Sequence, residues 1–83
     1  MANKKFSNAK DQQICDALNI TFDAMKTKGY EPYNQLSGYI LSDDEHYVTT
    51  YNNARQLITA CDHEEILKFL IKYFFENWET INS

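Results

Sequence analysis

Apolar residues recur at helical spacing along most of the chain. Ile14, Leu18, Phe22 and Met25 fall at steps of three and four residues, with Cys15 and Ala17 flanking the stripe. That period marks one face of an α-helix from about residue 10. The helix should stop at Gly29, because glycine accepts the left-handed geometry of a helix end. Lys26 and Lys28 lie near that end, where cations suit the helix dipole. Pro32 is suited to the first turn of a second helix. Leu36, Tyr39 and Ile40 supply its apolar side, and it should end near residues 41–42.

The next segment, "SDDEHYVTTYNN", is rich in capping residues. Ser42 with Glu45 three later reads as a capping box, predicting one helical turn around residues 43–47. An edge strand over "HYVTTY" is the rival reading, since β-branched and aromatic residues favour strands. Thr49, Thr50 and Asn52 offer caps for a third helix over about residues 51–60, with Ala54, Leu57, Ile58 and Cys61 on its apolar side. Asp62 with Glu65 is a second capping box and opens the strongest helix, from residue 64 to about 79.

In that last helix nine of the thirteen residues over 66–78 are apolar, and Lys68, Lys72, Glu76 and Glu79 form one narrow polar stripe. A helix apolar over more than half its circumference needs cover on two sides. Three short helices can cover one side. The other side calls for a partner, most simply a second copy of the chain. The expected interface is Leu67, Leu70, Ile71, Phe74, Phe75 and Trp78. The fold class expected is therefore all-α: a compact bundle of about four to five short helices over residues 9–83, homodimeric, preceded by a short, polar, flexible tail over residues 1–8.

Composition agrees. Eighty-three residues make one domain, with 43% hydrophobic and 14% aromatic residues. A chain of this size buries only about 60–65% of its unfolded surface, and small domains often add stability by oligomerising. Two glycines and one proline are few for the turns of an all-β chain. No run of about 18 apolar residues suggests a membrane span. No secretory signal is visible at the start, and two cysteines are no disulfide framework, so a reduced cytoplasmic setting is expected.

Charge narrows the partners. Residues 1–29 carry +2 and residues 30–83 carry −6. Nucleic-acid binding needs a dense cationic surface, which the body lacks. A helix-turn-helix-like DNA-binding or other transcriptional regulator is thus the alternative rather than the leading reading. The helices near residues 30–60 are what keep it in view.

Few residues suggest chemistry. Cys61, Asp62, His63 and Glu64 are clustered ligand types, but zinc sites need four ligands at paired spacings, and Cys15 and His46 are isolated. A Cys–His pair would lack an orienting group. No metal, cofactor or catalysis is expected. Asp43, Asp44 and Glu45 read as a solvated capping turn. The stretch "KGYEPYNQLSGYILS" holds both glycines, the proline and the adjacent amides Asn34 and Gln35. Those amides either satisfy backbone groups at a corner or recognise a partner, and Gly38 allows close packing. Arg55 is the lone arginine and suits a carboxylate or phosphate. Ser7 is the only hydroxyl residue of the tail and a candidate phosphorylation site.

These residues also carry a resemblance. Gly29-Tyr30, Pro32, Asn34-Gln35, Gly38-Tyr39 and Leu41-Ser42, then Asp44, Tyr47, Asn53-Ala54-Arg55 and Leu57-Ile58, resemble the IreB/ReoM family of small cytoplasmic regulators in Gram-positive bacteria, over about residues 14–77. The resemblance implies a helical homodimer without catalysis. It implies control by the membrane Ser/Thr kinase with PASTA domains. It also implies a role in restraining peptidoglycan synthesis and in cephalosporin tolerance, through contacts with a cell-wall precursor enzyme or the protease machinery acting on it. Tyr47, Asn53, Arg55, Asn34 and Gln35 are the partner-binding candidates. The chain departs from the family in lacking a tail threonine, with Ser7 nearby and Phe6 resembling the tail aromatic. Asp43-Asp44-Glu45 replaces a Gly-Asp-Pro turn. The basic stretch before the arginine is reduced to residues 49–53, leaving Arg55 alone.

Overall fold

A computed structural model describes Phe6 and residues 8–78 of the chain. It holds four α-helices: α1 (Ala9–Thr27), α2 (Pro32–Ser42), α3 (Ala54–Thr59) and α4 (His63–Glu76). Short 3-10 turns at Glu45–Tyr47 and Tyr51–Asn53 link α2 to α3. No strand occurs among the described residues, so "HYVTTY" is a turn-containing connector. The expected loose segment over residues 1–8 lies mostly outside the described residues. Within it, Asn8 caps α1, its side chain accepting from the amides of Lys10 and Asp11.

The chain leaves α1 as glycine dictates. Tyr30 N–H donates to Met25 O at 2.9 Å and Gly29 N–H to Lys26 O at 3.0 Å. Gly29 itself sits at φ 83°. This is the Schellman arrangement, which satisfies two orphan carbonyls. Pro32 then opens α2, and the Glu31 carboxylate accepts from Asn34 N–H at 2.7 Å.

The core-facing side of α1 matches the expected stripe at Ile14 and Met25 but not at Leu18 and Phe22. Its buried residues are Ile14, Ala17, Thr21, Ala24 and Met25, while Leu18 and Phe22 are half-buried. The reason is steric: α1 is the central helix, packed against α2, α3 and α4, and small side chains let neighbouring backbones come close. Thr21 is fully buried and its hydroxyl has no hydrogen-bond partner. Burying such a group costs about 1–3 kcal/mol. Thr21→Val keeps the shape and removes the hydroxyl. It should raise stability by about 1 kcal/mol, or roughly 4–8 °C in Tm for a domain this small, measured by thermal unfolding.

The connector also departs from expectation. The turn at Glu45–Tyr47 is capped by Asp44, whose carboxylate accepts from His46 N–H at 3.0 Å, and not by Ser42. Ser42 Oγ instead donates to Gly38 O at 2.6 Å and accepts from Asp44 N–H. The third helix begins three residues later than its expected start at 51. Asn52 and Asn53 both hold left-handed backbone, at φ 55° and 61°, and two such residues cannot continue a right-handed helix. Asparagine tolerates the conformation better than other side-chain-bearing residues. Asp43 does the same at φ 59° at the end of α2.

Gly38 meets no second helix. A Cβ there would overlap the Tyr47 ring, so the glycine exists to let that ring lie on α2. Gly38→Ala gains about 1 kcal/mol of helix propensity but forces the ring away. A net loss of about 1–2 kcal/mol is expected, with increased fluorescence quenching of Tyr47 by added iodide.

Candidate functional site

Two surfaces gather the candidate residues. The first is α4. Ile66 and Phe69 are its buried residues. Leu67, Leu70, Ile71, Phe74, Phe75 and Trp78 are all exposed, Ile71 at 58% and Phe75 at 67%. At 100° per residue the five within α4, Leu67, Leu70, Ile71, Phe74 and Phe75, occupy one continuous arc beside the buried one; α4 ends at Glu76, short of the expected 79, and Trp78 follows its cap at Asn77. Phe74 packs against Phe75 with centroids 5.0 Å apart and against Trp78 at 5.3 Å, giving an aromatic cluster open to solvent. Exposed single apolar residues are ordinary; here they are neighbours along one helix and just past its end. Lys68, Lys72 and Glu76 border it, forming a shallow groove with Ile71 and Phe75.

The second surface is the connector between α2 and α3. Gln35 Nε2 donates to Tyr47 O at 3.0 Å, and Arg55 Nε donates to Val48 O at 2.9 Å. Consecutive carbonyls are thus gripped from α2 and from α3, holding the buried Val48 in the core. Arg55 N–H also donates to Thr49 O. The rest of the Arg55 side chain borders a cleft lined by Glu45, Thr50, Asn53, Gln56 and Thr59. Of the five sequence candidates, Gln35, Tyr47 and Arg55 meet at the connector and Asn53 shares the cleft with Arg55. Asn34 is exposed at the start of α2, where its backbone amide is capped by Glu31. Ser7 lies outside the described residues.

A third cleft lies between the end of α2 and the start of α4, lined by Tyr39, Asp43, Glu45, Thr59, Cys61, Asp62 and His63. His63 Nε2 approaches Asp43 Oδ1 to 3.2 Å without hydrogen-bond alignment, and its ring sits edge-on to Tyr39 at 4.6 Å. The Asp43 carboxylate thus faces an imidazole across this cleft. Sequence reasoning missed it because the two residues are far apart in the chain. Among the described residues no three His, Cys, Asp or Glu side chains gather as a metal ion would need.

Ionisation follows the same geometry. The His46 backbone amide, then its ring, hold the Asp44 carboxyl below its usual range. Burial pushes the Cys61 thiol up, and burial followed by the nearby Asp43 charge pushes the Tyr39 phenol up. For both acids the fold keeps a proton that the unfolded chain sheds. Their contribution to stability is therefore complete below the thiol's ordinary value of 9.0 and is lost as pH rises past it. Urea unfolding from pH 7 to 10.5 should show this decline, and Cys61→Ala should make it shallower above pH 9.

Among the described residues no helix is long and apolar enough to cross a membrane. Residues 2–76 match the family model described as IreB regulatory phosphoprotein. A UPF0297 protein of Ruminiclostridium cellulolyticum is 40% identical over 73 residues, covering 88% of this chain and 83% of that protein. A UPF0297 protein of Lachnoclostridium phytofermentans is 44% identical over 64 residues, covering 77% and 73%.

Proposed function

The chain belongs to the IreB family of regulatory phosphoproteins, and from that membership we propose that it is a non-enzymatic, cytoplasmic homodimeric regulator acting through protein contacts. The observation that carries the reading is the exposed apolar face of α4. A second copy related by a two-fold axis would set that face against itself, since such an interface uses the same patch on both chains. The connector cleft, with Arg55 and Asn53, then remains outside the pair as the surface for another protein. Its guanidinium suits a partner carboxylate. Following the family resemblance, that partner is a cell-wall precursor enzyme or the protease machinery that acts on it. A Ser/Thr kinase modifies the tail at Ser7, which sets when the contact is made.

Affinity capture from cell lysate with mass spectrometry tests this reading. The intact chain should recover a cell-wall precursor enzyme or protease component. Asn53→Gly removes an amide from the cleft while keeping a residue that accepts φ 61°, and Arg55→Glu reverses the charge there. Both variants should lose the recovered protein; Asn53→Gly is the deciding one, because Arg55→Glu also gives up the hydrogen bond to Val48 O and counts only if circular dichroism shows it folded. Recovery unchanged in both would sink the assignment of this surface, and a Ser7 peptide found only unmodified in cells would sink the kinase step.

A further inference from the structure

The cleft at Arg55 and the cleft at His63 share a wall, because Glu45 and Thr59 line both of them. The two are halves of one furrow across the connector, of about 340 and 420 Å³. Its ends differ in charge. At one end stands Arg55, whose Nε holds Val48 O and which joins none of the ion pairs among the described residues. Asp44 feels its charge but is hydrogen-bonded to His46. Toward the other end three carboxylates, Asp43, Glu45 and Asp62, line a cleft that holds no lysine or arginine. Asp43 lies 3.2 Å from His63 Nε2, yet its side chain is 83% exposed. Among the described residues these carboxylates do not converge as a metal ion requires. They supply a negative field instead, which suits a guanidinium or ammonium on a flexible stem. A run of nucleic-acid phosphates would be repelled by them.

We propose that the furrow takes a short extended segment of a partner protein, one that carries a carboxylate for Arg55 and, a few residues away, an arginine or lysine for Asp43 and Asp62. This rests on the reading of the Arg55 cleft as a protein contact and adds the second charge that the segment needs. Arg55 and Thr59 are one turn apart on α3, ~6 Å along its axis. Four extended residues span up to about 14 Å, so one short segment reaches both ends. Each contact alone is weak, because both ends are open to water. Joined in one segment they reinforce each other, since the second forms within an existing complex. Charge order then sets specificity: a wholly acidic segment is repelled at the Asp43 end.

Peptide titration of the isotope-labelled full chain, followed by amide chemical shifts, tests this. Three acetylated, amidated tetrapeptides serve as probes. One has glutamate and arginine at its two ends with alanines between; the others carry glutamine in place of either charged residue. The doubly charged peptide should bind at least about threefold more tightly than either single-charge one, moving amides near both Arg55 and Asp43. Asp43→Asn removes one charge and keeps a residue that tolerates φ 59°. It should weaken the doubly charged peptide roughly threefold and leave the glutamate-only peptide unchanged. Equal binding of the three peptides, no saturable shift at millimolar peptide, or equal loss of both peptides in Asp43→Asn overturns the furrow. Capture from lysate separates that failure from failure of the reading beneath it. A partner lost in Asn53→Gly but kept in Asp43→Asn leaves the Arg55 cleft as a contact surface without its second end, whereas a partner kept in both removes that surface as well.

Discussion

If two copies pair through α4 as proposed, Ile71→Glu combined with Phe74→Glu is expected to abolish that pairing, with the largest effect of any change on assembly. Both side chains lie in the exposed arc of α4, at 58% and 40% accessibility. Neither supports the core of a single copy, so thermal stability measured well below the dissociation constant should barely change. In a two-fold interface every substitution occurs twice, so the double variant would bury four carboxylates against an apolar, aromatic surface. An unpaired buried charge costs several kcal/mol. A total of only about 4 kcal/mol already weakens association by roughly a thousandfold. Light scattering should give about twice the 9.8 kDa chain mass for the unaltered protein at micromolar concentration and a single chain mass for the variant. A stable monomer in the unaltered protein, or a variant that still pairs, removes α4 as the interface and leaves its apolar face for a different protein.

The parts of this fold written in local chemistry were legible in the sequence, and those made by distant contacts were not. Gly29 and Pro32 mark the break between α1 and α2 because each acts on its own backbone. The two-sided character of α4 follows from counting its apolar residues. On α1 the periodicity finds Ile14 and Met25, which are buried, but puts Leu18 and Phe22 where Ala17, Thr21 and Ala24 share the core side, because it highlights large side chains. The break inside the third predicted helix depends on two asparagines in left-handed backbone, a conformation their sequence permits but does not demand. At the connector, rarity alone draws attention to Arg55, yet its grip on Val48 O across seven residues appears only in the folded chain. Phe6 was noted as an aromatic of the tail. Its seat on Phe69 joins residues at opposite ends of the chain, and no local pattern encodes such a pairing.

Ile66→Ala is expected to cost the most stability of any single substitution discussed. Ile66 is completely buried and is one of two buried anchors along α4. Truncating a buried isoleucine loses transfer free energy and leaves a cavity, together about 2–5 kcal/mol. A domain of this length has roughly 4–12 kcal/mol in total at the usual stability per residue, so the change removes from about a sixth of it to all of it. The midpoint of thermal unfolding should fall by roughly 10–30 °C. Ile66→Val, which deletes one methylene, should lose only about 0.5–1.5 kcal/mol. The two variants together distinguish a tightly packed anchor from a helix that merely rests on the body. If α4 were held mainly by its exposed ion pairs, both substitutions would be mild and high salt would do the greater damage. If packing of Ile66 holds it, salt should matter little and the alanine variant should unfold first through α4, visible as early loss of Trp78 fluorescence relative to helical circular dichroism.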